Sequence, residues 1–235
     1  MTHANADGNR PDAGPTGSSL AHWNTSHSLC MFVALAGSVM LGDGLCLSVA
    51  GPCGLACLAW MYRTSFAGPA TFGWPNTITS LRVAMTVLLL QTGTHPHVAA
   101  VLTATVLLFD YLDGWLARRT DNATRFGARF DMESDAFLVA AASFTAFQLG
   151  HVGAFILIMG ALRYAYVLLL AVLGRTDADA PRSRFGRSVF GLVCVSLTAS
   201  LWPLDPVQRP LAVVATVAVS YSFARSLAWS LRSVS

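Results

Sequence analysis

Lysine is absent from this chain of 235 residues, and glutamate occurs once, at Glu133. All 15 basic side chains are arginine, and the other acids are aspartate. Charged residues make up 11% of the chain and hydrophobic ones 54%, whereas an ordinary soluble domain carries about 25% charged residues. So little charge, with a mean hydropathy of +0.54, leaves no room for a separate soluble enzyme domain. It predicts an all-α, polytopic membrane protein. The net charge of +3 is small, and no nucleic-acid partner is expected. The basic start and short apolar core of a signal peptide are also missing, so no cleavage is expected. Cysteines are few. Cys53 and Cys57 lie one helical turn apart, but no His or second Cys pair completes a metal site. They read as buried small hydrophobes.

What is present is a series of long apolar runs. Residues 1–28, rich in Gly, Pro, Asn, Asp and Ser, read as a disordered cytoplasmic tail. Leu29 to Tyr62 is nearly all apolar and would be about 51 Å long as one helix, against a hydrocarbon core of about 30 Å. Two short spans turning at Gly42-Asp43-Gly44 fit better than one tilted span. Residues 29–73 are thus one or two extra N-terminal spans and a loop. Six further apolar segments follow, near 77–93, 97–117, 131–149, 152–173, 188–203 and 210–229. Their connections alternate in arginine content. Residues 118–130 and 174–187 carry four each, and the turns at 92–97 and 149–153 carry none. By the positive-inside rule the arginine-rich loops and both termini face the cytoplasm. The Arg- and Ala-rich composition fits a high-GC bacterial genome, hence an inner-membrane location.

The fourth long run ends in FDYLDGWLARR, residues 109–119. Each helical residue turns by about 100°. Asp110, Asp113, Gly114, Ala117 and Arg118 therefore share one face. In GARFDMESD, Gly127, Asp131 and Asp135 step by four and share a face of the next helix. Glu133 points away from it and is read as reaching the headgroups. A short loop makes the two helices antiparallel neighbours whose polar faces meet, bringing four carboxylates together. A charge at mid-membrane costs about 2.5–3.5 kcal/mol on insertion scales, so such a cluster needs compensation. Two divalent cations would supply it, and oxygen-only ligands select Mg²⁺ or Mn²⁺. Gly114 and Ala117 leave room for a ligand, and Arg118 offers donors for phosphate oxygens. The competing reading pairs the aspartates with nearby arginines as interfacial salt bridges.

The pattern D-x-x-D-G-x-x-A-R, eight residues, then G-x-x-x-D-x-x-x-D resembles the signature of the CDP-alcohol phosphotransferases. Asp110, Asp113, Gly114, Ala117, Arg118, Gly127, Asp131 and Asp135 fill all eight fixed positions. Upstream, WPNTITSLR is similar to a stretch that opens the first core helix in many members. Here it supplies Pro75, Asn76, Thr79 and Arg82. The resemblance implies a six-helix membrane domain over 74–235 and a homodimer. It implies a CDP-linked donor such as CDP-diacylglycerol, an alcohol acceptor, and release of CMP during phospholipid synthesis. Asp110, Asp113, Asp131 and Asp135 would hold the two metals, and Asp135 would also be the general base. Asn76, Thr79, Asp113, Gly114, Ala117, Arg118 and Gly127 would line the CDP pocket.

The acceptor is read from two arginines. Arg163 is a lone charge about 15 Å deep in its span and is expected to face a cavity rather than snorkel. Arg187 opens the next helix. Together they suggest a phosphorylated polyol such as glycerol phosphate or inositol phosphate. Family members for glycerol phosphate often carry S-x-x-G-K-x-K-T here. This chain keeps Ser183, Gly186 and Arg187 of it, and Val189 and Phe190 break the rest. An uncharged or zwitterionic alcohol is the alternative. A cation transporter, which would want its carboxylates near the midplane, and a non-catalytic membrane protein are the other classes.

Overall fold

A computed structural model describes residues 17–65, 74–93, 95–120, 125–175, 184–202 and 206–232. Side chains at 65, 74–75, 111–120, 125 and 184 lie outside that description. The described residues form helices and no strand. The helices are α1 (Gly17–Leu41), α2 (Leu45–Ser65), α3 (Trp74–Leu90), α4 (Pro96–Thr120), α5 (Arg125–Leu149), α6 (Leu157–Val172), α7 (Arg184–Leu201) and α8 (Gln208–Arg232), with a 3₁₀ turn at Ala154–Ile156 before α6. Four are long and apolar enough to cross a membrane: α1, α2 to Thr64, the Ala154–Val172 stretch and α8. Shorter apolar stretches occupy α3, the first part of α4, and α7. The six apolar segments from 77 onward correspond to α3 through α8.

The extra N-terminal segment is two helices. Gly42 breaks it at φ +71°, a left-handed conformation that glycine adopts without strain at a helix end. Asp43 Oδ1 then accepts from the Leu45 amide at 2.9 Å, starting α2. The expected tail through Ser28 needs correction. Residues 1–16 lie outside the described part, but α1 already begins at Gly17. Trp23, Asn24, His27 and Ser28 are buried on it. Polar composition suggested a tail there, and packing against α2 and α6 overrides that local preference. Cys53 and Cys57 are exposed rather than buried.

Helix α5 is the centre of the bundle. It touches α1, α2, α3, α4, α6 and α7, and every residue from Ala136 to Ala146 is buried. A helix that is apolar on all sides belongs in such a position. Its alanines let neighbours come close, as small residues do between membrane helices. On α6, a Cβ added to Gly160 would stand 2.9 Å from Ala140 Cα. On α2, a Cβ on Gly51 would stand 2.5 Å from the Phe137 ring.

Candidate active site

The site begins where α3, α4 and α5 converge. The sequence predicted that α4 and α5 would lie face to face. Among the described residues their polar faces do meet, at Asp110 on α4 and Asp131 and Asp135 on α5, and α3 packs against both helices. The expected cluster forms, bridged from α3. Carboxylate oxygens of Asp110, Asp131 and Asp135 lie within 4.8 Å of one another. Arg82 reaches between them from α3. Its Nη1 is 2.6 Å from Asp131 Oδ1 and 2.9 Å from Asp110 Oδ1, and its Nη2 donates to Asp135 Oδ1. Helix geometry explains why these three acids meet. Asp131 and Asp135 stand one turn apart on α5, and α3 carries Arg82 alongside both helices.

Burial gives the cluster a direction. The Arg82 side chain is 1% exposed, whereas those of Asp110, Asp131 and Asp135 are 32%, 43% and 20% exposed. The guanidinium closes the cluster from inside the bundle, and the carboxylates open outward. Thr86 Oγ1 donates to the Arg82 carbonyl at 2.8 Å, adding a bond on the same turn of α3. Charge does not balance. Among the described residues one guanidinium faces three carboxylates, which leaves a formal excess of two negative charges. An excess of that size, presented by oxygen donors alone, fits a hard divalent cation. The salt-bridge alternative is therefore realised only in part. Among the described residues the partner is Arg82 of α3, one guanidinium against three acids.

The other predicted residues divide by position. Asn76 and Thr79 are buried on the first turns of α3, the helix that carries Arg82. Gly127 lies one turn before Asp131 on α5 and is half-buried. Asp113, Gly114, Ala117 and Arg118 continue α4 beyond Asp110, but their side chains lie outside the described residues. The expected fourth carboxylate is thus not part of the described cluster.

Next to the triad is a cavity of about 500 Å³, within the usual range for small-ligand pockets. Asp135, Arg163 and Arg187 all line it, on α5, α6 and α7. Gly186 adds backbone beside Arg187, and Val139, Met159 and Phe190 make much of the remaining wall apolar. The cavity thus joins one carboxylate of the triad to both predicted acceptor arginines.

Two residues acquire roles that the sequence did not supply. Arg82 was visible only as the last member of the WPNTITSLR stretch, with no chemistry attached. Glu133 was expected at the headgroups. It is fully buried, its Oε1 accepts from Arg163 Nη2 at 2.7 Å, and Arg129 Nε lies 3.7 Å from the same oxygen. Two arginines within reach offset part of the cost of burying this acid.

A family model for CDP-alcohol phosphatidyltransferases matches residues 72–224. The chain belongs to that family. It is accordingly a phosphate-group transferase of phospholipid synthesis, and with its apolar helices an integral membrane protein. The matched region runs from just before α3 into α8, so it contains the triad, Arg82 and, apart from Ser226, the lining of the cavity. Helices α1 and α2 lie outside it. No curated protein and no solved structure matches the chain.

Proposed function

We propose that the protein transfers a phosphatidyl group from CDP-diacylglycerol, or a related CDP-linked donor, to a phosphorylated polyol such as glycerol phosphate or inositol phosphate, with release of CMP. The observation that carries the choice of acceptor is the shared cavity: Asp135, Arg163 and Arg187 line one wall system. An alcohol is a weak nucleophile at neutral pH, so a placed base must take its proton as it attacks the β-phosphorus. Asp135 borders both the triad and the cavity and is given that role. Arg163 and Arg187 hold the acceptor phosphate with forked donors, in surroundings whose apolar walls strengthen each contact. Asp110, Asp131 and Asp135, with Asp113 as a fourth, would hold two Mg²⁺ or Mn²⁺ ions. Bound there, the ions supply charge neutralisation of the diphosphate. Asn76, Thr79, Asp113, Gly114, Ala117, Arg118 and Gly127 are assigned to the CDP pocket.

The domain reading is residues 74–235 as catalytic unit and 29–73 as the added hairpin, now extended back to Gly17. The enzyme is proposed to work as a homodimer in a bacterial inner membrane, with the site facing the cytoplasm. The test is CMP release from CDP-diacylglycerol by purified protein with Mg²⁺ or Mn²⁺, across a panel of alcohols. Turnover is expected with a phosphorylated polyol. Turnover only with an uncharged or zwitterionic alcohol would overturn the acceptor assignment and leave the transfer chemistry standing.

A further inference from the structure

Glu133 stands two residues from both Asp131 and Asp135, so it points to the opposite side of α5 from the triad. There it meets Arg163, the residue that also lines the cavity. A guanidinium has five N–H donors. A bond from Nη2 to Glu133 leaves others able to face the cavity.

Behind this pair lies α1. It packs against α6, and its His27 is 4% exposed. Its ring stacks on Trp23 at 4.9 Å between centroids and stands edge-on to Tyr164 at 6.2 Å. Tyr164 follows Arg163 on α6. Helix α2 is shaped to admit the ring, since a Cβ on Gly54 would stand 2.0 Å from His27 Nδ1. Trp23 Nε1 donates to the Gly54 carbonyl at 3.3 Å and closes the group. A histidine with its stacked tryptophan, seated against the residue that follows Arg163 on α6, is more than a membrane anchor requires.

We infer that Glu133, backed by His27 of α1, is a positioning residue that holds Arg163 ready for the acceptor phosphate. The N-terminal hairpin, outside the family match, is then a working part of the acceptor site. The inference rests on the reading of Arg163 given above. Its physical basis is preorganisation: an arginine fixed before binding gives up less rotamer freedom when the ligand arrives.

The test is steady-state kinetics on the full chain, varying donor and a phosphorylated acceptor (glycerol phosphate or inositol phosphate) separately. Glu133→Gln keeps an acceptor oxygen but removes its charge, so it should raise the acceptor KM about tenfold and leave the donor KM unchanged. Combined with Arg163→Ala it should add nothing, because Glu133 acts through Arg163. His27→Ala should raise the acceptor KM by less, with the donor KM again unchanged. Additive effects of Glu133→Gln and Arg163→Ala, or parallel changes in both KM values, would overturn the positioning role. An unchanged acceptor KM in Arg163→Ala would instead sink the acceptor assignment, and this inference with it. Should Glu133→Gln fail to fold, His27→Ala decides alone, and an unchanged acceptor KM there overturns the proposal.

Discussion

Two charged clusters sit on opposite sides of α5, and they differ in both sign and access. On one side, among the described residues, Asp110, Asp131 and Asp135 surround the guanidinium of Arg82. On the other, Arg129 and Arg163 flank the single carboxylate of Glu133. The first has surplus negative charge and carboxylates that open outward. The second has surplus positive charge around an acid that is 1% exposed. A site built to bind must keep unspent charge where a ligand can reach it. The aspartate side keeps it for a cation. The glutamate side keeps it on Arg163, which opens to the cavity while its partner stays sealed. The minority charge in each cluster, Arg82 or Glu133, organises the others.

That comparison can be broken most sharply at Asp135, the residue shared by the triad and the cavity. Asp135→Asn keeps the shape and removes the charge. Turnover should fall about 10²–10⁴-fold, the usual worth of a general base, and further if a metal is also lost. A variant that kept wild-type kcat would remove Asp135 from the chemistry and leave the cavity without a base.

A smaller effect is expected when the organising charge of the first cluster is removed. Breaking a buried pair costs about 3–5 kcal/mol, but these carboxylates are partly open to water, which returns some of it. Arg82→Ala should therefore destabilise the protein by roughly 1–3 kcal/mol, read as a lower Tm in detergent. The uncompensated acids should also make Tm respond more strongly to added Mg²⁺ than in the wild type. An unchanged Tm and an unchanged Mg²⁺ response would mean that Arg82 does not hold the cluster together.

The difference between the two clusters also explains what could be read from the sequence. The triad was legible because Asp131 and Asp135 follow helical spacing and share a face that periodicity alone reveals. So were the six later helices and the break at residues 42–44, since hydropathy and glycine mark them locally. Arg82 was not, because its partners Asp131 and Asp135 lie 49 and 53 positions away and nothing local in α3 announces them. Glu133 was misplaced for the same reason. Its partner stands 30 positions away on another helix, and an isolated glutamate near a helix end reads as a surface residue until that helix is docked. The start of α1 failed on composition. Asn24, His27 and Ser28 look like tail residues, and only burial against α2 and α6 gives them a place.

The central claim is that the open carboxylates of α4 and α5 hold divalent cations for transfer from a CDP-linked donor. CMP release from CDP-diacylglycerol, measured with EDTA and again after Mg²⁺ or Mn²⁺ is restored, tests it most directly. The account predicts no release in chelator and recovery with either ion. Full CMP release in EDTA would contradict it.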